Sequence, residues 1–289
     1  MKKLVVLVGP PGSGKSTFAQ ECVGIGWIRI NQDDQGKDHI RLFEEAVNLG
    51  KDIVVDRMGF SYHQRQRYIE FAKANGYHTE IVILYASHSI CMERMSRRTN
   101  HPTIKDTETA KRVLAFFFSK YEPVEASEAD LITKRGQSGY CHPAIICDLD
   151  GTLCNVKHRQ HYVQREGKKD WNKFFLEMVN DTPNNNVLEI LKRFSKDHDI
   201  VFCSGRPKEY EQLTIDWLYK HVTPHGFNTH LLMREAGDHR PDSIVKEIIL
   251  DFDILTQWKP AFILDDRNQV VDMWRARGFE CHQVAPGNF

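Results

Sequence analysis

The 289-residue chain balances 39 Lys plus Arg against 39 Asp plus Glu, so no basic surplus advertises a polyanionic partner, although local clusters can still set the field at a cleft. Its length suits two domains of ordinary size, each able to bury a core. Seven scattered cysteines without a C-x-x-C pair argue against a disulfide framework or a structural zinc site and for reduced thiols in a cytoplasmic setting. Leu4 to Val8 is too short an apolar run for a signal peptide, and no run is long enough to span a bilayer.

Leu4 to Val8 reads as a buried strand running into Gly9-Pro10-Pro11-Gly12-Ser13-Gly14-Lys15-Ser16-Thr17. The spacing G-x-x-x-x-G-K-S is that of a P-loop, whose backbone N–H groups wrap nucleotide phosphates. In that pattern Lys15 reaches the outer phosphates and the Ser16 hydroxyl ligates magnesium. The following helical stretch, Ser16 to Val23, points its positive end at the same anion. Trp27 to Ile30 is a second short strand ending in Asn31-Gln32-Asp33-Asp34, where a carboxylate is placed to act as base on an acceptor hydroxyl or to cap a helix. Lys51 to Asp56 repeats the design, with Asp56 at its mouth.

Tyr62 to Asn75 is expected to be a helix with Gln64, Arg65, Gln66 and Arg67 mostly solvated, followed by a strand from His78 to Tyr85. Ile90 to Arg98 reads as a helix carrying Arg94, Arg97 and Arg98, with Arg94 and Arg98 on one face. Such arginines suit either a solvated face or a lid that neutralises a transferring phosphoryl group. Lys111 to Lys120 is a further helix and Asp130 to Thr133 a last strand, before a polar linker over Gly136 to Pro143. Alternation of strand and helix predicts a doubly wound parallel sheet.

A second apparatus opens at Ala144-Ile145-Ile146-Cys147-Asp148-Leu149-Asp150-Gly151-Thr152-Leu153. A buried strand ending in two aspartates at i and i+2 presents both carboxylates at its mouth, one able to attack phosphorus and one to trade a proton with the leaving oxygen. A divalent cation is needed to offset the charge gathered there. His158 and His161 have no strong metal spacing and are expected at the surface. Trp171 to Val179 and Asn184 to Phe194 read as amphipathic helices. Asp199 to Arg206 is a strand ending in Ser204, Gly205 and Arg206, donors for a phosphate. Leu231 to Arg234 leads to Asp242 and to Lys246, one helical turn later, and Ala261 to Leu264 ends in Asp265 and Asp266, suited to magnesium.

Asp148 to Thr152 resembles the first motif of the haloacid dehalogenase (HAD) phosphatases, and the order Asp-x-Asp, Ser, Lys, Asp-Asp repeats that superfamily's plan. With the P-loop before it, the chain resembles the bacteriophage polynucleotide 5'-kinase/3'-phosphatase family along essentially its whole length. The resemblance implies two α/β domains, each a doubly wound parallel sheet: a P-loop kinase domain over residues 1–137 and an HAD-like phosphatase domain over 138–289. It implies ATP and Mg2+ as cofactors, DNA or RNA ends as partners, a homo-oligomer, no membrane, and a bacterial or phage-infected host cytoplasm.

By the same resemblance Gly9, Gly12, Ser13, Gly14, Lys15, Ser16 and Thr17 hold ATP and its metal. Asp33 is the general base, Asp56 fixes the acceptor site, and Arg94 and Arg98 belong to the lid. Asp148 is the nucleophile, Asp150 the acid and then base, and Lys246 the neutralising cation. Arg159, Ser204, Gly205, Arg206, Arg234 and Asp242 serve the substrate, and Asp148, Asp150, Asp265 and Asp266 the metal. One departure stands out. The family's arginine three residues after the base is Gly36 here, with Lys37 and Arg41 nearby as substitutes. The rival expectations are a small-metabolite kinase/phosphatase and a nucleotide-binding module without catalysis, the latter opposed by Lys15, Asp33, Asp148, Asp150 and Lys246 all having the chemical type required.

Overall fold

The computed structural model describes residues 2–97, 106–137, 142–164 and 167–287. The chain divides into two compact units, Met1–Gln137 and Ser138–Phe289. Each is built on its own sheet.

In the first unit the strands are β1 (Lys3–Val8), β2 (Ile28–Ile30), β3 (Ile53–Val55), β4 (His78–Leu84) and β5 (Leu131–Arg135). They pair in parallel in the order β2-β3-β1-β4-β5. Leu4 to Val8 is apolar without a break because helices cover both faces of a parallel sheet, and all five residues are buried. The helices are α1 (Lys15–Gly24), α2 (Gln32–Gln35), α3 (His39–Asn48), α4 (Tyr62–Ala74), α5 (His88–Ser96) and α6 (Thr107–Lys120). Central β1 lies between β3 and β4, so the strand order reverses at its C-terminal end, where open α/β sheets bind ligands. The P-loop follows there.

Helix α4 corrects one expectation. Arg65 and Gln66 are buried, not solvated, because Arg65 reaches across to Glu128: Nε to Oε2 is 2.6 Å and Nη2 to Oε1 is 2.7 Å. Arg65 Nη1 also donates to the carbonyls of Gly59 and Glu122. A polar sequence face here hides an internal ion pair.

In the second unit the sheet is β10-β9-β6-β11-β12, again parallel, from β6 (His142–Cys147), β9 (Asp199–Pro207), β10 (Thr229–Arg234), β11 (Trp258–Arg267) and β12 (Cys281–Gly287). A two-stranded ribbon, β7 (Cys154–Asn155) with β8 (Thr182–Pro183), follows the first aspartates. The helices are α7 (His161–Gln164), α8 (Trp171–Leu176), α9 (Asn185–Phe194), α10 (Glu211–His221), α11 (Asp242–Ile249) and α12 (Asn268–Ala276). Val187, Leu188 and Leu191 of α9 pack on one face of the sheet, while Val245 and Ile249 of α11 and Val270, Val271 and Trp274 of α12 pack on the other. Helix α8 is shorter than expected, tightening into a 3-10 turn from Glu177 to Asn180. Among the described residues, no helix is long and apolar enough to cross a membrane.

Candidate active sites

At the P-loop, Gly14 sits at the N-cap of α1 with positive φ and supplies no side-chain cap, so the first N–H groups of α1 remain turned to an incoming anion. Lys15 Nζ donates to the carbonyls of Gly9 (2.9 Å) and Pro10 (2.8 Å), folded over the loop where phosphates would lie. The buried Ser13 hydroxyl has no protein partner, while Ser16 and Thr17 are exposed in the first turn. These donors fit a nucleotide polyphosphate. A cavity of about 570 Å³ adjoins the loop, lined by Gly12, Ser13, Thr17, Phe18, Arg94 and Arg135 among others. Arg94 Nη1 donates to Gly12 O at 3.2 Å, tying α5 to the loop. Arg97 is exposed and pairs with Glu93, and Arg98 lies outside the described residues.

Asp33 and Asp34 are neither strand residues nor caps. Asn31 caps α2, its Oδ1 accepting from the N–H groups of both aspartates, and its Nδ2 reaches Asp56 Oδ2 at 3.2 Å. Arg29 completes the network, holding Asp56 (2.6 Å) and Asp34 (2.9 Å). Asp56 is therefore a buried strut whose charge is spent on Arg29, while Asp33 stays exposed. Lys37 is exposed, and Arg41 pairs with Glu45. Gly36 ends α2 at positive φ.

In the second unit Asp148 follows β6, and Lys246 of α11 reaches it. Nζ lies 2.7 Å from Asp148 Oδ1 and 2.9 Å from Asp265 Oδ2, with Asp242 Oδ2 at 3.8 Å. Carboxylate oxygens of Asp148, Asp265 and Asp266 lie within 4.8 Å of one another, all three residues buried. Burial pushes Asp148 well above the usual carboxylate range, against the pull of Lys246. Burial and the charge of Asp265 raise Asp266 to about 7. Three hard oxygen donors whose charges are incompletely offset fit a divalent cation.

The second aspartate has a different environment. Asp150 is gripped by Arg206, whose Nε lies 3.1 and 3.0 Å from its two oxygens and whose Nη2 lies 2.5 Å from Oδ1, and by Arg159 Nη2 at 2.5 Å. Although burial opposes it, these guanidinium groups hold Asp150 well below the usual carboxylate range. Asp181 anchors the clamp from behind, accepting from Arg159 Nε at 2.7 Å and Nη2 at 2.5 Å.

Residues 142–289 match the family model described as "Polynucleotide kinase PNKP phosphatase domain", just over half of the chain. The chain belongs to this PNKP phosphatase-domain family. Residues 4–123 match a model described as "AAA domain", in keeping with the P-loop. A viral relative, "Putative bifunctional polynucleotide kinase/RNA ligase" of Autographa californica nuclear polyhedrosis virus, is 25% identical over 95% of this chain and 41% of its own length. "Bifunctional polynucleotide phosphatase/kinase" of Schizosaccharomyces pombe is 36% identical over 25% of this chain and 18% of its own length. The chain spans less than half the length of the curated relatives it matches. A chain of the solved Pnkp1/Rnl/Hen1 RNA repair complex is 25% identical, covers 100% of this chain and 97% of itself, and gives a TM-score of 0.45.

Several of the expected site residues are engaged with other side chains of the protein. Asp150, expected among the metal ligands, spends its carboxylate on Arg159 and Arg206 instead. Those two arginines, expected on the substrate, are fully buried behind it. Its other neighbours, Cys154 and Asp181, also lie against the guanidinium groups, whose positive charge offsets the two carboxylates. Ser204 is buried, its Oγ accepting from the Arg206 N–H at 3.2 Å. Arg234 donates to Gly205 O, Arg240 O and Asp242, fixing the loop that leads into α11. Gly205 is required: a Cβ there would stand 2.1 Å from Asp242 Oδ1. His158 and His161 are exposed, as expected, and His158 Nε2 lies 2.8 Å from Asp181 Oδ1.

Four residues were given no role in the sequence reading. Asp181 sits after a helix and at no strand mouth, so no local pattern marks it. Arg29 had a signal, a charge between two isoleucines on a short strand. Thr152 donates to Asp266 at 3.3 Å, and Trp274 Nε1 to Asp265 at 3.2 Å, orienting the carboxylate cluster.

Proposed function

We propose that the chain is a bifunctional nucleic-acid end-processing enzyme, transferring the ATP γ-phosphate to 5'-hydroxyl ends and hydrolysing 3'-phosphate ends. The observation that supports it most is the buried Asp148–Lys246–Asp265–Asp266 array, in a member of the PNKP phosphatase family that also carries a P-loop unit. The family assignment favours nucleic-acid ends over small metabolites as substrates.

In the phosphatase reaction an Asp148 oxygen forms a bond to phosphorus as the bond to the 3'-oxygen breaks, giving an aspartyl-phosphate. Asp150 supplies the proton that the departing oxygen takes up. It later accepts a proton from the water that attacks phosphorus and releases inorganic phosphate, restoring Asp148. The arginine clamp suits the second step as it stands, because it keeps Asp150 ionised. To donate in the first step the carboxyl must loosen from the clamp, for which the incoming phosphate is the competing anion, and take up a proton from solvent before passing it to the departing oxygen. Lys246 offsets charge on Asp148 and on the transferring group. Asp148, Asp265 and Asp266 would hold a divalent ion, Mg2+ in our reading, which supplies charge neutralisation at phosphorus.

In the kinase reaction the α1 N–H groups, Lys15 and Ser16 bind the ATP phosphates and their metal. Asp33 takes the proton of the 5'-hydroxyl as its oxygen attacks the γ-phosphorus and ADP departs. Arg94, with Arg98, neutralises the phosphoryl group, and the Arg29–Asp56–Asn31 network fixes α2 so that Asp33 faces the acceptor. Six described cysteines are buried free thiols, which supports a reducing cytoplasmic setting. A homo-oligomer belongs to the same reading and is tested by sedimentation.

The deciding experiment supplies ATP, magnesium and one oligonucleotide with a 5'-hydroxyl and a 3'-phosphate, and follows both ends. Lys15→Ala is expected to abolish the 5' gain only, and Asp148→Ala the 3' loss only. A wild type that changes neither end while hydrolysing a generic phosphate ester defeats the proposal.

A further inference from the structure

The pocket over the phosphatase carboxylates is larger than a phosphate requires. It encloses about 740 Å³, the size of a cavity for a whole small molecule, about 300–1,000 Å³. Asp148, Asp150 and Lys246 line one part of it, and Trp171, Phe175 and Tyr210 form an aromatic side. Those rings run in a graded stack. Trp171 and Phe175 centroids are 6.0 Å apart with 25° between planes, and Phe175 and Tyr210 are 4.9 Å apart at 34°.

The wall is fixed in place and joined to the chemistry. The Tyr210 hydroxyl donates to Asn172 Oδ1 at 2.8 Å. Phe174, edge-on to both Trp171 and Phe175, packs under the Arg159 guanidinium at 4.2 Å, the same group that grips Asp150. Phe174 and Phe175 are buried and complete a small core with Val163 and Met178. Trp171 is not part of that core and remains 44% exposed on the pocket side of α8. A large ring held half-open beside a phosphate-handling centre offers area that the fold itself leaves unused.

We propose that Trp171 is the stacking platform for the nucleobase of the 3'-terminal nucleotide of a single-stranded end. The inference rests on the 3'-phosphatase reading above and adds its base-binding subsite. Stacking tolerates sequence because every base has a π-face, so the subsite distinguishes a base from no base and not one base from another. The end must be unpaired, since a paired base is already stacked in its duplex and reaches a protein ring only after leaving it. The Lys169 ammonium, 5.6 Å from the indole centroid, shows the ring receiving a cation on an exposed face. On its flexible stem it yields that place to a base and remains beside the backbone phosphates.

The test compares three substrates with the full chain and magnesium: a single-stranded 3'-phosphate oligonucleotide with an ordinary terminal base, the same strand with an abasic terminal sugar, and para-nitrophenyl phosphate. Wild type is expected to favour the base-bearing strand over the abasic one by on the order of tenfold in kcat/KM, carried mostly in KM because stacking is alike in ground and transition states. Trp171→Ala should bring that ratio near one, and Trp171→Phe should retain most of it. Equal turnover of the two strands by wild type overturns the inference alone. So does a Trp171→Ala variant that slows all three substrates while keeping the ratio, since that is a structural role. Hydrolysis of para-nitrophenyl phosphate with no turnover of either strand overturns the 3'-end reading and this inference with it.

Discussion

Arg206 holds both oxygens of Asp150, with Nε at 3.1 and 3.0 Å and Nη2 at 2.5 Å from Oδ1. The contact spans 56 residues and joins the end of β9 to the mouth of β6. It keeps the Asp150 carboxylate charged.

Removing that grip should therefore cost both activity and stability. For Arg206→Ala we expect loss of 3'-phosphatase activity with the 5'-kinase retained, and destabilisation of the second unit by about 3–5 kcal/mol, the usual result of breaking a buried pair from one side. The sign of the pH effect follows from Asp150, whose folded pKa is depressed. Its contribution is present above the unfolded carboxylate value of about 3.9 and is lost as pH falls below it. Urea unfolding from pH 7 to pH 3 should show the gap between wild type and variant closing toward acid.

Asp266 behaves in the opposite sense. With its folded pKa raised to about 7, metal-free protein loses stability as pH rises from about 4 to about 7, because the buried group is forced to ionise. In chelator, Asp266→Asn should flatten that slope, and added magnesium should lift the wild type above the variant at pH 7. A wild-type profile that stays flat over this range in chelator would count against the buried cluster as drawn.

Lys246 is the charge around which Asp148, Asp242 and Asp265 gather. Lys246→Met leaves Asp148 and Asp265 without their cation in a buried site, while Asp242 keeps Arg234, and we expect a loss of about 3–5 kcal/mol together with loss of phosphatase turnover. Kinase turnover on a 5'-hydroxyl end should persist, so a variant that loses both activities has unfolded more than the second unit.

Arg65 and Glu128 make the comparable test in the first unit, where both side chains are almost wholly enclosed. Arg65→Ala should destabilise that unit by about 3–5 kcal/mol, while replacing both partners by apolar residues of similar size should cost much less. A double-mutant cycle read by chemical denaturation separates the two outcomes.

The sequence by itself determined where the chemistry ends up along the chain. In a parallel sheet a strand buried on both faces reads as an apolar run, and the residue where polarity resumes is the strand mouth; this made Asp56, Asp148, Ser204 and Asp265 legible as site candidates, while the P-loop spacing marked Lys15. What the tertiary structure decided is what each charge does there. Arg159 and Arg206 became a buried clamp on Asp150, Asp181 its anchor, Arg29 the holder of Asp56, and Arg65 a core residue, through partners 9 to 63 residues away. No local period encodes such pairings. They arise because folding encloses the charges together, and a charge removed from water must find its counter-charge wherever packing brings it. The exposed face of Trp171 follows the same logic: an amphipathic pattern marks a helix, but only the neighbouring elements decide which ring is covered and which is left open to a ligand.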